Sequence, residues 1–417
     1  MNVSRRLIAS LAVLAVIGGL VFLGYWYQAR ETTPGQQTQT AAIAVTSGDD
    51  RGPGTLREAL FIAAAAQDEA TISIRVPKIS VATALPPLVN PRGVRLIVGE
   101  QGAEIDASAL PDGPVLDVVG ANVSIEGLRI RNCRGAGILL RAERFRLQST
   151  TIESCDVGVD VAENAQQILL EGNRFAGNRV GVRFAASNRN TIVVKNDFTG
   201  HRDAGLWAVR SEPDLRGAPL GIRENRFSKE RIGILAANVA VLIERNELTA
   251  SQEAAMQLMG AGAVVRGNRI SGGAAMGIIA ENARAAVIEE NEFDGLAAYG
   301  IILKGSADTL VRANRVHNSG YGLAFVLGDA RSPSTAIDNT IIEPKFNGID
   351  VIGDSPILRS NHVVRPRALP FKAVDFQPEG GGEKVRSQPF LEGNSFGTSA
   401  PMAASGEPAA AGGAMQR

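Results

Sequence analysis

The chain has 417 residues, 43 of them Lys or Arg and 43 Asp or Glu, so its formal charge is zero. That balance excludes a protein held to nucleic acid or anionic lipid by bulk charge. Three histidines and two cysteines argue against a His-rich metal centre or a disulfide scaffold, and 46 glycines with 45% hydrophobic residues describe a folded, turn-rich chain.

Arg5 and Arg6 precede an uncharged apolar run, Leu7 to Tyr27, which ends in Tyr25, Trp26 and Tyr27. About 21 residues rising 1.5 Å each span roughly 30 Å, enough for a hydrocarbon core. The terminal aromatics and leading arginines predict an uncleaved signal anchor at 7–27, with residues 1–6 cytoplasmic; the alternative is a cleavable signal peptide, whose apolar region would be shorter and end in small residues. The protein is then expected in the cell membrane, single-pass, with everything after the anchor on the extracytoplasmic (periplasmic) side. Residues 28–42 are expected to be a polar linker.

Thr55 followed by Glu58 is a capping box that predicts a helix over 55–66, with Leu56, Ala59, Leu60 and Ala63 on its apolar side. That side would cover the open first turn of whatever repeat follows. From about residue 120 an Asn-x-apolar motif recurs, as in Asn173-Arg-Phe175, Asn196-Asp-Phe198, Asn225-Arg-Phe227, Asn246-Glu-Leu248, Asn268-Arg-Ile270 and Asn291-Glu-Phe293. A Gly-aliphatic pair follows most copies, as in Gly181-Val182, Gly205-Leu206, Gly277-Ile278 and Gly300-Ile301. A period of about 22 residues built from short strands and Gly/Asn turns predicts a β-solenoid. The large apolar residues form an inward column, and the Asn column suits turns because Asn tolerates the left-handed conformation and bonds to its stacked neighbours.

These repeats resemble the right-handed parallel β-helix superfamily of pectate lyases, related sugar-modifying enzymes and NosD-type periplasmic proteins. Ser47-Gly-Asp-Asp-Arg-Gly-Pro-Gly-Thr-Leu-Arg-Glu-Ala-Leu60 is similar to an opening motif of many secreted β-helical proteins. The resemblance implies an all-β, single-stranded right-handed parallel β-helix of about 11–12 coils over 43–396, before a disordered tail at 397–417. It implies a polysaccharide or oligosaccharide as partner and, for an enzyme, a lyase, epimerase or hydrolase. Copper, suggested by the NosD likeness, would need Met, His and Cys clusters that the sequence lacks, so no metal or cofactor is expected.

One position after each repeat Asn the charge alternates: Arg174, Asp197, Arg226, Glu247, Arg269, Glu292, Arg315. Two positions before it, Arg223, Glu244, Arg266, Glu289 and Arg312 alternate too. Stacked at strand spacing, such columns attract in register and repel after a slip of one coil. Most central charges are thereby spoken for.

Candidate site residues lie on the strand that begins at each Gly-aliphatic pair, where the second and fourth residues point outward. Arg141, Asp160 and Arg183 form one polar group there, a clamp for acidic sugar if Asp160 orients both arginines. Glu281 beside Lys304, with Asp350 beyond, forms another. His201 as general base near Asp203, with Trp207 as a stacking platform, is a third constellation; His201 equally fits the turn column that Asn178 occupies one coil earlier. Cys133 and Cys155 share a column, either as a disulfide or as stacked thiols. The alternative to carbohydrate binding is a scaffold docking a protein through an outward apolar strip: Trp207, Leu235, Met259, Ile279, Ile302 and Val326.

Overall fold

The computed structural model describes residues 42–397 apart from 100, 186–188, 215–218, 261, 274–275 and 381. The expected anchor at 7–27, the linker up to residue 41 and the tail from 398 lie outside the described residues. Among the described residues no helix is long and apolar enough to cross a membrane.

Three parallel sheets of 15, 14 and 12 strands wind into a β-solenoid of about 13 turns, a complete turn adding one strand to each sheet and the end turns contributing to only some of them. This exceeds the 11–12 coils expected, because the earliest turns carry no Asn-x-apolar signature. Ile43–Val45, Ala70–Ile74 and Val94–Val98 are already successive strands of the first sheet. Helix α1, Leu56–Ala65, is the one helix among the described residues. The Thr55 side chain accepts from Glu58 N–H, and Glu58 Oε2 accepts from Gly54 N–H at 2.6 Å. Its buried residues are Leu56, Ala59, Leu60 and Ala63, the side foreseen from their spacing. At the other end, Phe371–Val374 closes the third sheet, a bridge between Phe376 and Val385 turns the chain back, and Phe390–Glu392 closes the first.

Three columns hold the turns together. Inside, Phe175, Phe198 and Phe227 stack with ring centroids 5.0 and 4.5 Å apart. The glycine of the second motif faces this column. A Cβ on Gly181 would sit 2.4 Å from the Gly205 carbonyl and 2.9 Å from the Phe198 ring, so no larger residue fits without movement.

Between the first and second sheets runs a ladder of buried asparagines. Asn291 Oδ1 accepts from both the backbone N–H (3.0 Å) and the Nδ2 (2.9 Å) of Asn268, whose Nδ2 also donates to the Ile243 carbonyl at 3.0 Å. The same set repeats from Asn173 to Asn394. The left-handed residue is the one before each asparagine, among them Lys195, Glu224, Arg245, Glu290 and Ala313. The repeat Asn therefore serves hydrogen bonding, and its neighbour absorbs the positive φ.

The alternating charges sit in register as expected. Arg174↔Asp197↔Arg226↔Glu247↔Arg269↔Glu292 are successive partners on the second sheet. Ion pairs close at Arg226–Glu247 (3.2 Å) and Arg269–Glu292 (2.9 Å). On the first sheet Glu244, 3% exposed, bridges Arg223 at 2.9 Å and Arg266 at 2.5 Å.

Candidate functional site

The outer face of the third sheet is built by strands that each begin beside a repeat glycine, and it falls into three zones along the solenoid. In the early zone Asp117, Leu139, Asp160, Arg183 and Trp207 are successive register partners. Arg183 donates from Nε and Nη2 to Asp160 Oδ1 and Oδ2 at 2.8 and 2.6 Å. Arg141 turns the other way, its Nε 3.3 Å from Asp117 Oδ1. Asp160 therefore orients one arginine and not the two expected, because Arg141 stands one outward row over. The Asp160 hydrogen bonds raise the Arg183 guanidinium above its ordinary value, partly opposed by burial.

Beside this zone, Arg179 donates to Asp156 from Nε and Nη2 (2.6 and 3.0 Å) and to Asp203 from Nη1 (2.8 Å). Hydrogen bonds to Asp156 and then Asp203 hold the Arg179 pKa above the guanidinium range. Asp203, expected beside a catalytic histidine, is engaged here.

His201 points inward. Its side chain and that of Glu230 are both 0% exposed, with Nδ1 2.9 Å from Glu230 Oε1 and the His201 backbone N–H donating to Oε2 at 3.0 Å. Nε2 lies 3.3 Å from Asn178 Nδ2. Asn178 Oδ1 already accepts from Cys155 N–H, so its amide NH2 faces the ring; Nε2 must accept and Nδ1 carries the proton. Sealed in the core, this imidazole reaches no external substrate, and the general-base role has no geometric basis. His201 fills the turn column of Cys155 and Asn178. Cys133 and Cys155, in the same column, form a disulfide between successive turns.

The middle zone is apolar. Trp207, half-buried, packs with Val209 and Met259 on Ala204, Ile232 and Leu235. Its strand, Ala204–Asp214, extends 11 residues, and Asp214 pairs with Val239 after a register shift. Leu235 and Ile302 are only 8% and 5% exposed, so the strip proposed for protein docking offers little surface on this face. Glu281 and Lys304 are register partners at the end of this zone, without a salt bridge between them among the described residues.

In the late zone Tyr299, Tyr321 and Phe346 stack on successive turns with centroids 4.4 and 4.9 Å apart. Burial, then the nearby Asp350 charge, pushes the Tyr299 hydroxyl up to about 12. Asp350 is 6% exposed, accepts from Asn347 Nδ2 at 2.8 Å and pairs in register with Lys372; burial raises its carboxyl above the ordinary range. Sequence reasoning missed this stack. Its signal was a Tyr directly before two consecutive repeat glycines, at Tyr299-Gly300 and Tyr321-Gly322, holding two of only four tyrosines.

A second missed feature lies on the first sheet. Leu169, Ile192, Leu242, Val264, Val287, Leu310 and Ile357 share one outward column, all half-buried, that ends at Phe390, 52% exposed. On the second sheet two depressions of about 500 and 510 Å³ flank Arg269, Glu292 and Arg315. They are spaces between the ion-pair rows already described.

Parallel sheets wound coil upon coil around stacked aromatic, asparagine and charge columns define a β-helix protein. The profile of the right-handed β-helix region matches residues 100–218 and 215–363, and the chain belongs to that family. No curated protein matches the sequence. Among solved structures, tailspike protein 3 of bacteriophage CBA120 is 14% identical with a TM-score of 0.52, over 84% of this chain and 60% of its own. The catalytic unit of an α-1,3-glucanase from Streptomyces thermodiastaticus is 15% identical, TM-score 0.48, over 88% and 70%. The A-module of a mannuronan C-5 epimerase from Azotobacter vinelandii is 11% identical, TM-score 0.46, over 85% and 97%. At these identities the likeness is one of fold.

Proposed function

We propose that the protein binds a polysaccharide laid along the outer face of its third sheet, tethered to the membrane through residues 7–27 with the solenoid on the extracytoplasmic side. The observation that carries this reading is Trp207. Its indole lies half-buried on the outer face of the third sheet, in the long strand Ala204–Asp214 and next to the hydrogen-bonding Asp160–Arg183 pair. An aromatic ring flanked by fixed polar groups suits the apolar face and hydroxyl rim of a sugar. Among the described residues no acid and base converge on the indole, so the proposal is one of binding. The test is electrophoresis of the full-length protein, in detergent, through gels containing polysaccharides. Trp207→Ala should weaken retardation at least tenfold without changing the unfolding midpoint. Undiminished retardation of that variant would remove the site.

A second reading, a scaffold that docks a protein, has its own observation: the aliphatic column of the first sheet, Leu169 to Phe390. Leu242→Asp with Val287→Asp should then abolish a specific cross-linked complex in cells and spare glycan retardation.

A further inference from the structure

The outward rows of the third sheet say which glycan fits. Among the described residues they carry four cations, Arg141, Arg183, Lys304 and Lys372, and each stands beside a carboxylate: Asp117, Asp160, Glu281 and Asp350 respectively. The face is therefore neutral pair by pair. More telling is which atoms are used. A uronate carboxylate is recognised by the planar fork of a guanidinium, two parallel N–H groups donating to the two oxygens of one carboxylate. On Arg183 that fork, Nε and Nη2, is filled by Asp160. On Arg179 the same fork is filled by Asp156, and Nη1 is committed to Asp203. At these two arginines an acidic sugar would have to displace an intramolecular carboxylate already held at 2.6–3.0 Å.

Uncharged hydroxyls meet no such competition. The carboxylates accept from them through remaining lone pairs, and Trp207 takes the apolar ring face. Resting on the polysaccharide reading above, we infer that the polymer bound on this face is a neutral glycan and that uronate-rich polymers are refused.

The experiment compares full-length protein in detergent micelles against neutral polymers (a β-1,3-glucan, dextran and mannan) and acidic ones (alginate and polygalacturonate), at about 50 and 300 mM NaCl. The Debye length falls from about 14 Å to about 6 Å between these two salts, so binding through exposed charge weakens with salt. A neutral polymer should bind with less than a twofold change between the two salts, and alginate at least tenfold more weakly. Asp160→Asn, which frees the Arg183 fork, should raise alginate binding severalfold at low salt only. Tenfold preference for an acidic polymer by the wild type, with loss at high salt, overturns the inference while leaving polysaccharide binding intact. An Asp160→Asn variant that folds and gains no alginate binding overturns the fork argument. Retention by no polymer at either salt, with a wild-type unfolding midpoint, overturns the polysaccharide reading itself and the inference with it.

Discussion

His201 gives the sharpest test of inside against outside. In the structure His201→Ala leaves the Glu230 carboxylate, 0% exposed, with the backbone N–H of residue 201 as its remaining hydrogen-bond donor of the present set. Asn178 Nδ2 loses the imidazole and keeps the Ile152 carbonyl at 3.1 Å. Removing a hydrogen-bond donor from a buried carboxylate costs about 1–3 kcal/mol or more, and the vacated ring volume adds to that. Against a typical folding free energy of about 5–15 kcal/mol, this is a large fraction. Adding Glu230→Gln to the same chain removes the uncompensated charge and should recover part of the loss, because a neutral amide is far cheaper to bury than a carboxylate. The assay is urea unfolding with linear extrapolation, where the loss appears as a lowered midpoint. Polysaccharide retardation of the folded His201→Ala protein should match the wild type. A variant within about 1 kcal/mol of wild-type stability that has lost glycan binding tenfold would refute the argument, since it would put the imidazole at the ligand.

Two further outcomes follow from the charge columns and the late zone. Glu244 bridges two arginines from a 3% exposed position; Glu244→Lys stacks three cations at strand spacing and should destabilise by about 3–5 kcal/mol, read as the urea midpoint, whereas a change below 1 kcal/mol would mean that the column does not govern register. Asp350 has a carboxyl raised chiefly by burial, so the folded state holds its proton more tightly than the unfolded state. Its contribution to stability is present below the unfolded carboxylate pKa, about 3.9, and is lost as pH rises through the raised value. Asp350→Asn should therefore gain thermal stability relative to wild type as pH increases from about 4 to 7, and a difference in Tm that stays flat over that range would contradict the burial argument.

The parts of the fold that were legible in sequence are those in which one residue type repeats for one physical reason. The inward Phe/Ile column, the glycines facing it and the alternating Arg/Glu rows each announce themselves because every turn solves the same packing or charge problem. The early turns solve it with Val, Leu and Ile strands such as Val94–Val98 and no asparagine, so the motif count stopped short of the true number of turns. The left-handed position was misplaced by one residue for a related reason. Asn is conspicuous, yet its side chain is consumed in the ladder, and the positive φ falls on the residue before it, which is Gly172, Gly267 or Gly393 at some turns but Lys195, Glu224, Arg245, Glu290 or Ala313 at others, with no turn signature there.

The site was harder to read because it depends on two-residue choices that periodicity leaves open. Spacing correctly placed Arg141, Asp160 and Arg183 on the same face, but two outward rows exist, and the row decides the partner. Arg183 and Asp160 share a row and close a bidentate pair. Arg141 belongs to the neighbouring row and turns to Asp117, a residue with no motif of its own. His201 was undecidable for the opposite reason: its column holds Cys, Asn, His and Glu on successive turns, so no residue type marks it as interior until Glu230 is seen to meet it. The zero net charge of the whole chain thus has a local counterpart on the third sheet. Each described cation of the outward rows has a carboxylate beside it, and what such a face selects follows from which donors its own acids have already taken.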